Sequence, residues 1–280
     1  MSNINNIQKK IEEVYETNIR EVEIYKEKNK IHPKIAIINT NLEDEPSQRY
    51  IRNKKKKCEQ YGIEVEIYEP ENEERTLKLI EVLNNSKDVT SIIIQYPFGF
   101  KCQNKEVIFS SIKKEKDIDR LGAIHYEDLK NSLPLTADGI YQVVNKLGLK
   151  DKTKILFNGN GMTTNKRLFP LMFDEGKFDC RIINSKTPKE SVNELIEWSD
   201  VIISGIGKKD SLECKDKIVI CPSIIKNSDG TFSSDLKDEL REYNTTHKVI
   251  GSIGLLTTSN LLLRAYKDAE IQQKRWLTWL

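Results

Sequence analysis

The sequence lacks the features that mark several large classes of protein. Its five cysteines are widely spaced with no CxxC pair, and its three histidines form no ligand pattern beside them. This argues against both a disulfide framework and a zinc site, so we expect no bound metal. We expect the cysteines to be small buried hydrophobic residues in a reducing compartment.

Long apolar runs and an excess of one charge are also missing. Runs such as residues 92–94 are far too short to span a membrane. The 45 Lys and Arg residues are interspersed with 43 Asp and Glu residues, so the net charge is only +2 and does not favour a nucleic-acid groove. The N-terminus is too polar and acidic for a signal or transit peptide. We expect a cytoplasmic protein without nucleic-acid or membrane partners.

What the chain does contain is an alternation of predicted strands and helices. In chain order the first predicted elements are a helix at about 6–28, a strand at 34–39, a helix from Ser47 that closes at Gly62, a strand at 63–68, a helix around 77–83 and a strand at 92–95. Strands that alternate with helices of this kind predict βαβ units and a mainly parallel sheet. The sequence therefore predicts an α/β fold.

A second α/β unit is predicted after the polar run at 150–152. It opens with a strand at 154–157, the turn Gly159-Asn160-Gly161 and a helix from about Thr164. This order is typical of a nucleotide-binding domain, although a glycine turn after a strand is by itself a weak signal.

The predicted domains are an N-terminal domain at 1–147 and a Rossmann-like domain at 148–254. A last helix, within 255–280, is expected to pack back on the first domain. Its large side chains Trp276 and Trp279 are expected to pack on the protein or on a second subunit.

Tyr50 and Lys54 lie four residues apart in the predicted helix that starts at Ser47 and closes at Gly62. At this spacing they share a helix face and could present a ring and an amine to one bound molecule. The lysines at 55–57 point in other directions and are expected to be solvated. Gln95 ends a predicted strand, and ligands of parallel sheets bind at the carboxyl ends of strands.

Four short motifs follow one another along the chain. They are Ser47-x-x-Tyr50-x-x-x-Lys54-x-Lys56, Ile94-Gln95-Tyr96-Pro97, Lys116-Asp117-Ile118-Asp119, and Pro134-Leu135-Thr136 with Gly139. Together, in this order and at these spacings, they resemble the methylenetetrahydrofolate dehydrogenase/cyclohydrolase family over about residues 34–269. One motif alone would be a weak match, whereas four in sequence are hard to obtain by accident.

The resemblance implies a substrate cleft between two α/β domains and a role for each candidate residue. Lys54 would be the catalytic lysine, with Tyr50 beside it and Gln95 as its partner. Asp119 would bind the pterin ring, because a carboxylate accepts hydrogen bonds from both the ring N–H and the amino group. Pro97 would belong to the substrate-binding loop, where it makes the turn after the strand rigid.

The implied activities are two steps of folate one-carbon metabolism on a tetrahydrofolate derivative. In the cyclohydrolase step water attacks the methenyl carbon and the lysine relays a proton, which requires burial or a nearby positive charge to favour a neutral amine. In the dehydrogenase step the methylene carbon gives hydride to NADP or NAD. The resemblance also implies a homodimer formed through the second domain.

The second domain departs from the family at its cofactor motifs. Where the family has Gly-Arg-Ser, this chain has Gly159-Asn160-Gly161, which lacks the arginine suited to a 2′-phosphate. The later cofactor-binding segments, which contain Ser185 and Ile224, are altered as well.

Several interpretations stay open. Either NAD replaces NADP, or the dinucleotide binds in a changed pose with Lys166 or Arg167 as the substitute cation. Alternatively the dehydrogenase step is weak or absent and hydrolysis remains. A folate-binding protein without dehydrogenase turnover is a further alternative, as is an enzyme for another pterin, suggested by Arg120 in place of a glycine after Asp119.

Overall fold

The computed structural model describes residues 7–28, 31–122 and 133–277. The described α-helices are α1 (Ile7–Lys28), α2 (Glu45–Gln60), α3 (Glu73–Asn85), α4 (Lys105–Ser110), α5 (Leu135–Lys146), α6 (Asn165–Asp174), α7 (Lys189–Trp198) and α8 (Ile253–Leu277), with a 3-10 helix at Asp238–Tyr243. The described strands are β1 (Lys34–Ile38), β2 (Glu64–Tyr68), β3 (Ser91–Ile94), β4 (Lys154–Asn158), β5 (Asp179–Ile183), β6 (Val201–Ser204), β7 (Ile218–Ile220), β8 (Ile225–Lys226), β9 (Phe232–Ser233) and β10 (Thr245–Thr246).

Two kinds of feature are not found in these described ranges. No helix there is long and apolar enough to cross a membrane. No group of three or more His, Cys, Asp or Glu side chains there could hold a metal ion. The predicted packing of Trp276 and Trp279 concerns side chains outside the described part of the chain.

Backbone contacts divide the chain into two units. The three-stranded unit comprises Thr17–Asp128 and Thr258–Leu280, and the five-stranded unit comprises Met1–Glu16 and Leu129–Thr257. This division differs from the predicted boundaries at 1–147 and 148–254. The difference arises because the apolar face of α5 packs into the core of the later strands, and because α1 and α8 each contribute residues to both units.

The three-stranded unit contains a parallel sheet of order β2-β1-β3. Ile38, at the end of the middle strand β1, is level with Tyr68 on one side and Ile94 on the other. β1 and β3 are buried almost throughout, which explains their continuous apolar sequences. The carboxyl ends of all three strands therefore meet at one edge, and the predicted parallel sheet is confirmed.

Helix α2 starts two residues before the predicted position at Ser47. Asp44 caps it by accepting a hydrogen bond from the backbone N–H of Ser47 at 3.0 Å, and Pro46 is tolerated in the first turn. The helix ends before Gly62, whose φ of 75° suits a left-handed turn. Its buried positions, spaced four, three and four residues apart, are Ser47, Ile51, Lys54 and Cys58.

The five-stranded unit contains a sheet of order β10-β7-β6-β4-β5 in which all pairs are parallel. The chain leaves β4 for β5 on one side and then returns to β6 on the other, so the strand order reverses between β4 and β6. Ligands of such sheets bind beyond the carboxyl ends of the strands at this reversal point. The two-residue strand β10 was not predicted, because so short a segment shows no periodicity.

Candidate active site

Lys54 lies on the buried face of α2 and is only 6% exposed. Its Nζ is 4.4 Å from the centre of the Tyr50 ring, one helical turn earlier, and Tyr50 as a whole residue is 38% exposed. Lys56 is exposed, and Lys55 is partly exposed and pairs with Glu59 at 3.7 Å. The structure thus separates one buried lysine from its solvated neighbours.

The next residue on this face is Cys58. Burial raises the pKa of its thiol to about 12, while the charge of Lys54 acts in the opposite direction. The thiol is therefore neutral near pH 7 and has no nucleophilic role. Lys54 is the reactive group that this face of α2 can offer.

Gln95 is buried directly after β3, where its backbone N–H donates to the carbonyl of Ile38 at 2.9 Å. Its side-chain Nε2 donates to the carbonyl of Tyr96 at 3.1 Å. Within the described residues, no hydrogen bond joins Gln95 to Lys54. The pairing of these two side chains therefore stays a prediction, and the amide oxygen of Gln95 is the atom that could accept from an amine.

The loop that contains Pro97 is fixed against the loop after β1. The backbone N–H of Gly99 donates to Oγ1 of Thr40 at 3.2 Å. A Cβ at Gly99 would lie 2.1 Å from the carbonyl oxygen of Thr40, so only glycine allows this approach. Pro97 is exposed within this loop, and the rings of Phe98 and Phe100 stack with centroids 5.4 Å apart.

The two acids of the third motif have different environments. Asp117 is 3% exposed, forms a bridge to Ile92 beside β3, and accepts from the N–H of Gly122 at 2.9 Å. Asp119 is more exposed and has no hydrogen-bond partner among the described residues. Asp117 therefore holds the turn together, while the carboxylate of Asp119 is available to a ligand.

Lys116 of the same motif has a structural role. Its buried Nζ donates to the carbonyls of Leu83 at 2.7 Å and Ser86 at 2.6 Å, and so closes the last turn of α3. Burial, assisted by Lys113, lowers the pKa of Lys116 to about 8.

Arg120 has a φ of 53°, a conformation that glycine adopts more readily. Its Nη2 lies 3.6 Å from Oδ1 of Asp268 on α8. Burial raises the pKa of the Asp268 carboxyl to about 6, against the opposing effects of Arg120 and Arg264. The guanidinium of Arg120, which follows Asp119 in the chain, is thus paired with a carboxylate of the same unit.

At the reversal point of the five-stranded sheet, two loops approach each other closely. A Cβ at Gly161 would lie 2.6 Å from the carbonyl oxygen of Gly205. Gly159 has a φ of 87°, and a Cβ there would lie 2.8 Å from Cγ1 of Ile206. These glycines bring the end of β4 against the end of β6, and the turn then leads into the N-terminus of α6, a common site for a phosphate.

Asn165 is the first residue of α6. It is 0% exposed, and its Nδ2 donates at 3.1 Å to each of three carbonyls, those of Asn158, Gly159 and Ile203. This amide joins the ends of β4 and β6 from within the protein. Of the two proposed substitute cations, Lys166 is exposed whereas Arg167 is buried.

The other predicted cofactor residues follow parallel strands of the same sheet. Asn160 and Ser185, which follow β4 and β5, are exposed, and so is Ile224, which follows β7. Their strands end at one edge, so the residues present can accommodate a dinucleotide there. The arginine that would hold a 2′-phosphate has no counterpart at Asn160.

Sequence reasoning missed Asp235, a buried residue that organises this edge. Its carboxylate accepts from Oγ of Ser204 at 2.7 Å and from the backbone N–H groups of Ile206 at 3.1 Å and Lys208 at 2.9 Å. It therefore fixes the loop after β6. No pattern in the surrounding polar sequence identifies it.

His247 was also missed. Its Nε2 accepts from the backbone N–H of Cys221 at 3.1 Å, and its Nδ1 lies 2.9 Å from the Lys248 carbonyl oxygen and 2.9 Å from Oγ of Ser252. Burial lowers the pKa of His247 to about 4, so the ring is neutral with its proton on Nδ1. It holds the end of β7 to the loop before α8.

The fold and the two sites define a class of protein, a two-unit α/β enzyme with a buried lysine in one unit and a dinucleotide-type turn in the other. A family model described as tetrahydrofolate dehydrogenase/cyclohydrolase, catalytic domain, matches residues 3–119. The chain is 30% identical over 285 residues to the bifunctional protein FolD of Clostridium botulinum (strain Langeland / NCTC 10281 / Type F), covering 95% of this chain and 96% of that protein. The chain therefore belongs to the tetrahydrofolate dehydrogenase/cyclohydrolase family, and the predicted family is confirmed.

Solved structures show that the fold is shared. The Trypanosoma brucei methylenetetrahydrofolate dehydrogenase-cyclohydrolase, complexed with NADP cofactor and inhibitor, has a TM-score of 0.78 at 20% identity. The match covers 99% of this chain and 97% of the Trypanosoma brucei chain. The NAD-dependent 5,10-methylenetetrahydrofolate dehydrogenase of Saccharomyces cerevisiae has a TM-score of 0.74 at 17% identity. The match covers 95% of this chain and 98% of the yeast chain. The predicted two-domain α/β fold is confirmed by these similarities.

Proposed function

We propose that this protein hydrolyses methenyltetrahydrofolate, with Lys54 as the proton relay. The observation that carries the proposal is the burial of this one lysine on the inner face of α2, with its amine 4.4 Å from the centre of the Tyr50 ring. A lysine that serves only solubility points into water, as Lys56 does. The relatives described as bifunctional FolD proteins support the same activity.

The chemistry explains why a lysine is needed. Water attacks the methenyl carbon that bridges two nitrogens, loses a proton, and a nitrogen gains one as the ring opens. An amine within reach of both positions can accept and return that proton. In this proposal the Gln95 oxygen orients the amine without adding a counter-charge, and Tyr50 contacts the substrate ring.

Substrate binding in this proposal depends on the edge formed by β1 and β3. Asp119 accepts from the amino group and ring N–H of the pterin, because its carboxylate has no partner among the described residues. Pro97 contributes to the substrate-binding surface, since its loop is fixed by the Gly99 to Thr40 hydrogen bond.

We propose NAD(P)-dependent methylenetetrahydrofolate dehydrogenase as the second activity. When bound, the nicotinamide would accept hydride from the methylene carbon. Gly159, Asn160 and Gly161 would contact the dinucleotide at the reversal point of the sheet, and Ser185 and Ile224 would complete its site. The NADP complex and the NAD-dependent enzyme among the similar structures support either nucleotide.

We also propose a cellular location and an oligomeric state. All five cysteines are free thiols, which supports a cytoplasmic location. The family resemblance supports a homodimer, which a measurement of mass in solution would test.

The test is a spectrophotometric assay of methenyltetrahydrofolate loss by the parent, Lys54→Met and Lys56→Met. We expect Lys54→Met to lower the hydrolysis rate at least 100-fold, the lower range for loss of a general acid–base group. Lys56→Met, an identical change on the exposed side of the same helix, should stay within twofold of the parent. Equal rates for all three proteins would contradict the role of Lys54.

A further inference from the structure

Asn39 is a buried amide with an unused hydrogen-bond donor. It is 1% exposed, and its Oδ1 accepts from the backbone N–H of Asn41 at 3.2 Å. This contact identifies which end of the amide is the oxygen. The other end, Nδ2, is buried and has no hydrogen-bond partner among the residues that the structure describes. A buried donor without an acceptor costs free energy, so it calls for a functional explanation.

Asn39 directly follows β1, the middle strand of the three-stranded sheet. Its own backbone N–H donates to the carbonyl of Tyr68 at 2.8 Å, and the N–H of Gln95 donates to the carbonyl of Ile38 at 2.9 Å. The unused donor therefore belongs to the strand-end edge at which parallel sheets bind ligands, and Gln95 is level with it on the neighbouring strand.

The carboxylate of the proposed substrate site lies on the far side of Gln95. Asp117 pairs with Ile92 beside β3, and Asp119 follows two residues later. Asp119 lies in the turn that is closed by the hydrogen bond from the Arg120 N–H to the Asp117 carbonyl, on the opposite side of β3 from β1 and Asn39. The bicyclic ring would lie along the strand-end edge between these two positions.

The hydrogen-bonding edge of a pterin carries an acceptor followed by two donors, the 4-oxo oxygen, the N3–H and the 2-amino group. A carboxylate accepts hydrogen bonds from the two donors but cannot donate one to the 4-oxo oxygen, which needs a neutral or cationic donor. We propose that Asn39 determines specificity by donating a hydrogen bond from Nδ2 to the 4-oxo oxygen of the bound folate. This inference rests on the proposed function, which supplies the folate.

A second buried asparagine provides a matched control. Asn165 is as deeply buried as Asn39, but its Nδ2 already donates to three backbone carbonyls. Leucine has nearly the shape of asparagine and removes the donor in both cases. At Asn39 it also removes the Oδ1 acceptor of the Asn41 N–H, so the substitution should destabilise the protein at both sites, but less at Asn39 than at Asn165.

The experiment compares the parent, Asn39→Leu, Asn39→Ala and Asn165→Leu as full-length proteins. Dissociation constants are measured calorimetrically for tetrahydrofolate and for its 4-amino-4-deoxy analogue, in which the acceptor is replaced by a donor. We expect Asn39→Leu to bind tetrahydrofolate about tenfold more weakly than the parent, while binding of the analogue changes less than twofold. Without ligand, the denaturant midpoint should fall less for Asn39→Leu than for Asn165→Leu.

Three results would overturn the assignment. They are unchanged binding of tetrahydrofolate by Asn39→Leu, an equal loss for both ligands, and an unfolding midpoint that falls as far for unliganded Asn39→Leu as for Asn165→Leu, which would mean that Nδ2 already has a partner. If the leucine does not fit, the ratio of the two affinities in Asn39→Ala decides the question. A parent that neither binds tetrahydrofolate nor hydrolyses the methenyl form would instead refute the proposed function itself.

Discussion

The amine of Lys54 lies 4.4 Å from the centre of the Tyr50 ring, on the inner side of a helix whose other lysines face solvent. The ring face attracts a cation, and the contact restricts where the amine can lie. Because Tyr50 is still 38% exposed, the same ring can also contact a bound substrate. The pair therefore joins the proposed relay to the proposed substrate surface.

Tyr50→Phe and Tyr50→Leu should separate the ring from its hydroxyl. The phenylalanine keeps the face beneath Lys54, so hydrolysis of methenyltetrahydrofolate should fall less than about fivefold if the ring carries the effect. The leucine removes the ring and should lower the hydrolysis rate at least about tenfold, because both the cation–π contact and the substrate contact are lost. Steady-state rates on both variants check this. Equal losses would show that the hydroxyl, not the ring, is required.

Asn160→Arg should change the preference between nucleotides. A guanidinium after β4 can pair with a 2′-phosphate, so NADP binding should tighten at least about tenfold, which is typical of a charge-assisted hydrogen bond. NAD, which lacks that phosphate, should change less than about twofold. Titration of the purified proteins with both nucleotides measures this, with the neutral Asn160→Gln as control. A similar gain for NAD and NADP would place the 2′-phosphate elsewhere.

Asp235→Asn should destabilise the loop after β6. The carboxylate accepts from three donors, and an amide in its place turns one oxygen into a donor that faces them. We expect the free energy of unfolding to fall by about 3 kcal/mol and dinucleotide binding to weaken. Denaturant unfolding checks this. The control is Asp238→Asn, since exposed Asp238 accepts one side-chain hydrogen bond, from Ser233 at 3.0 Å, and should lose about 1 kcal/mol or less.

Asp268→Asn should stabilise the protein above pH 6, although it removes an ion pair. Burial raises the pKa of the folded carboxyl to about 6 from 3.8, despite Arg120 and Arg264 beside it and with Asp117 acting in the same direction as burial. The unfolded chain therefore loses this proton first, so the contribution of Asp268 to stability falls as the pH rises from about 4 to about 6.

Asparagine resembles the neutral carboxyl, so the variant should not lose stability between about pH 4 and about pH 6 as the parent does. We expect the variant to be more stable than the parent at pH 8 by up to about 3 kcal/mol. Unfolding curves between pH 4 and pH 8 measure the difference. Glu270→Gln, on the same helix and paired with Lys274 at 3.1 Å, serves as a control expected to change stability by less than about 1 kcal/mol. A variant that is less stable than the parent at pH 8 would show that the Arg120 pair outweighs burial.

The strands were predictable where burial on both faces leaves an apolar run, as in β1 and β3. The start of α2 was not, because Asp44 rather than Ser47 supplies the cap and Pro46 fits the first turn. The short pairing of β10 with β7 depends on residues 27 positions apart. Such contacts leave no local periodicity, so the sequence did not predict a strand at Thr245 and Thr246.

The buried polar residues were beyond sequence reasoning for a related reason. Asp235 finds its three donors about 30 residues earlier in the chain, and His247 binds a backbone N–H 26 residues away. The local sequence around each residue does not distinguish it from a solvated side chain. Only the strand order brings these partners within hydrogen-bond distance.

The sequence by itself determined the alternation of strands and helices, the shared face of Tyr50 and Lys54, and the motifs that resemble the family. These features are local, because helix and strand periodicities are fixed by the backbone over a few residues. The tertiary structure decided that Asp117 is an internal anchor, whereas Asp119 and the Nδ2 donor of Asn39 have no hydrogen-bond partner within the described ranges. Those outcomes depend on which strands lie side by side, and spacing along the chain does not encode that arrangement.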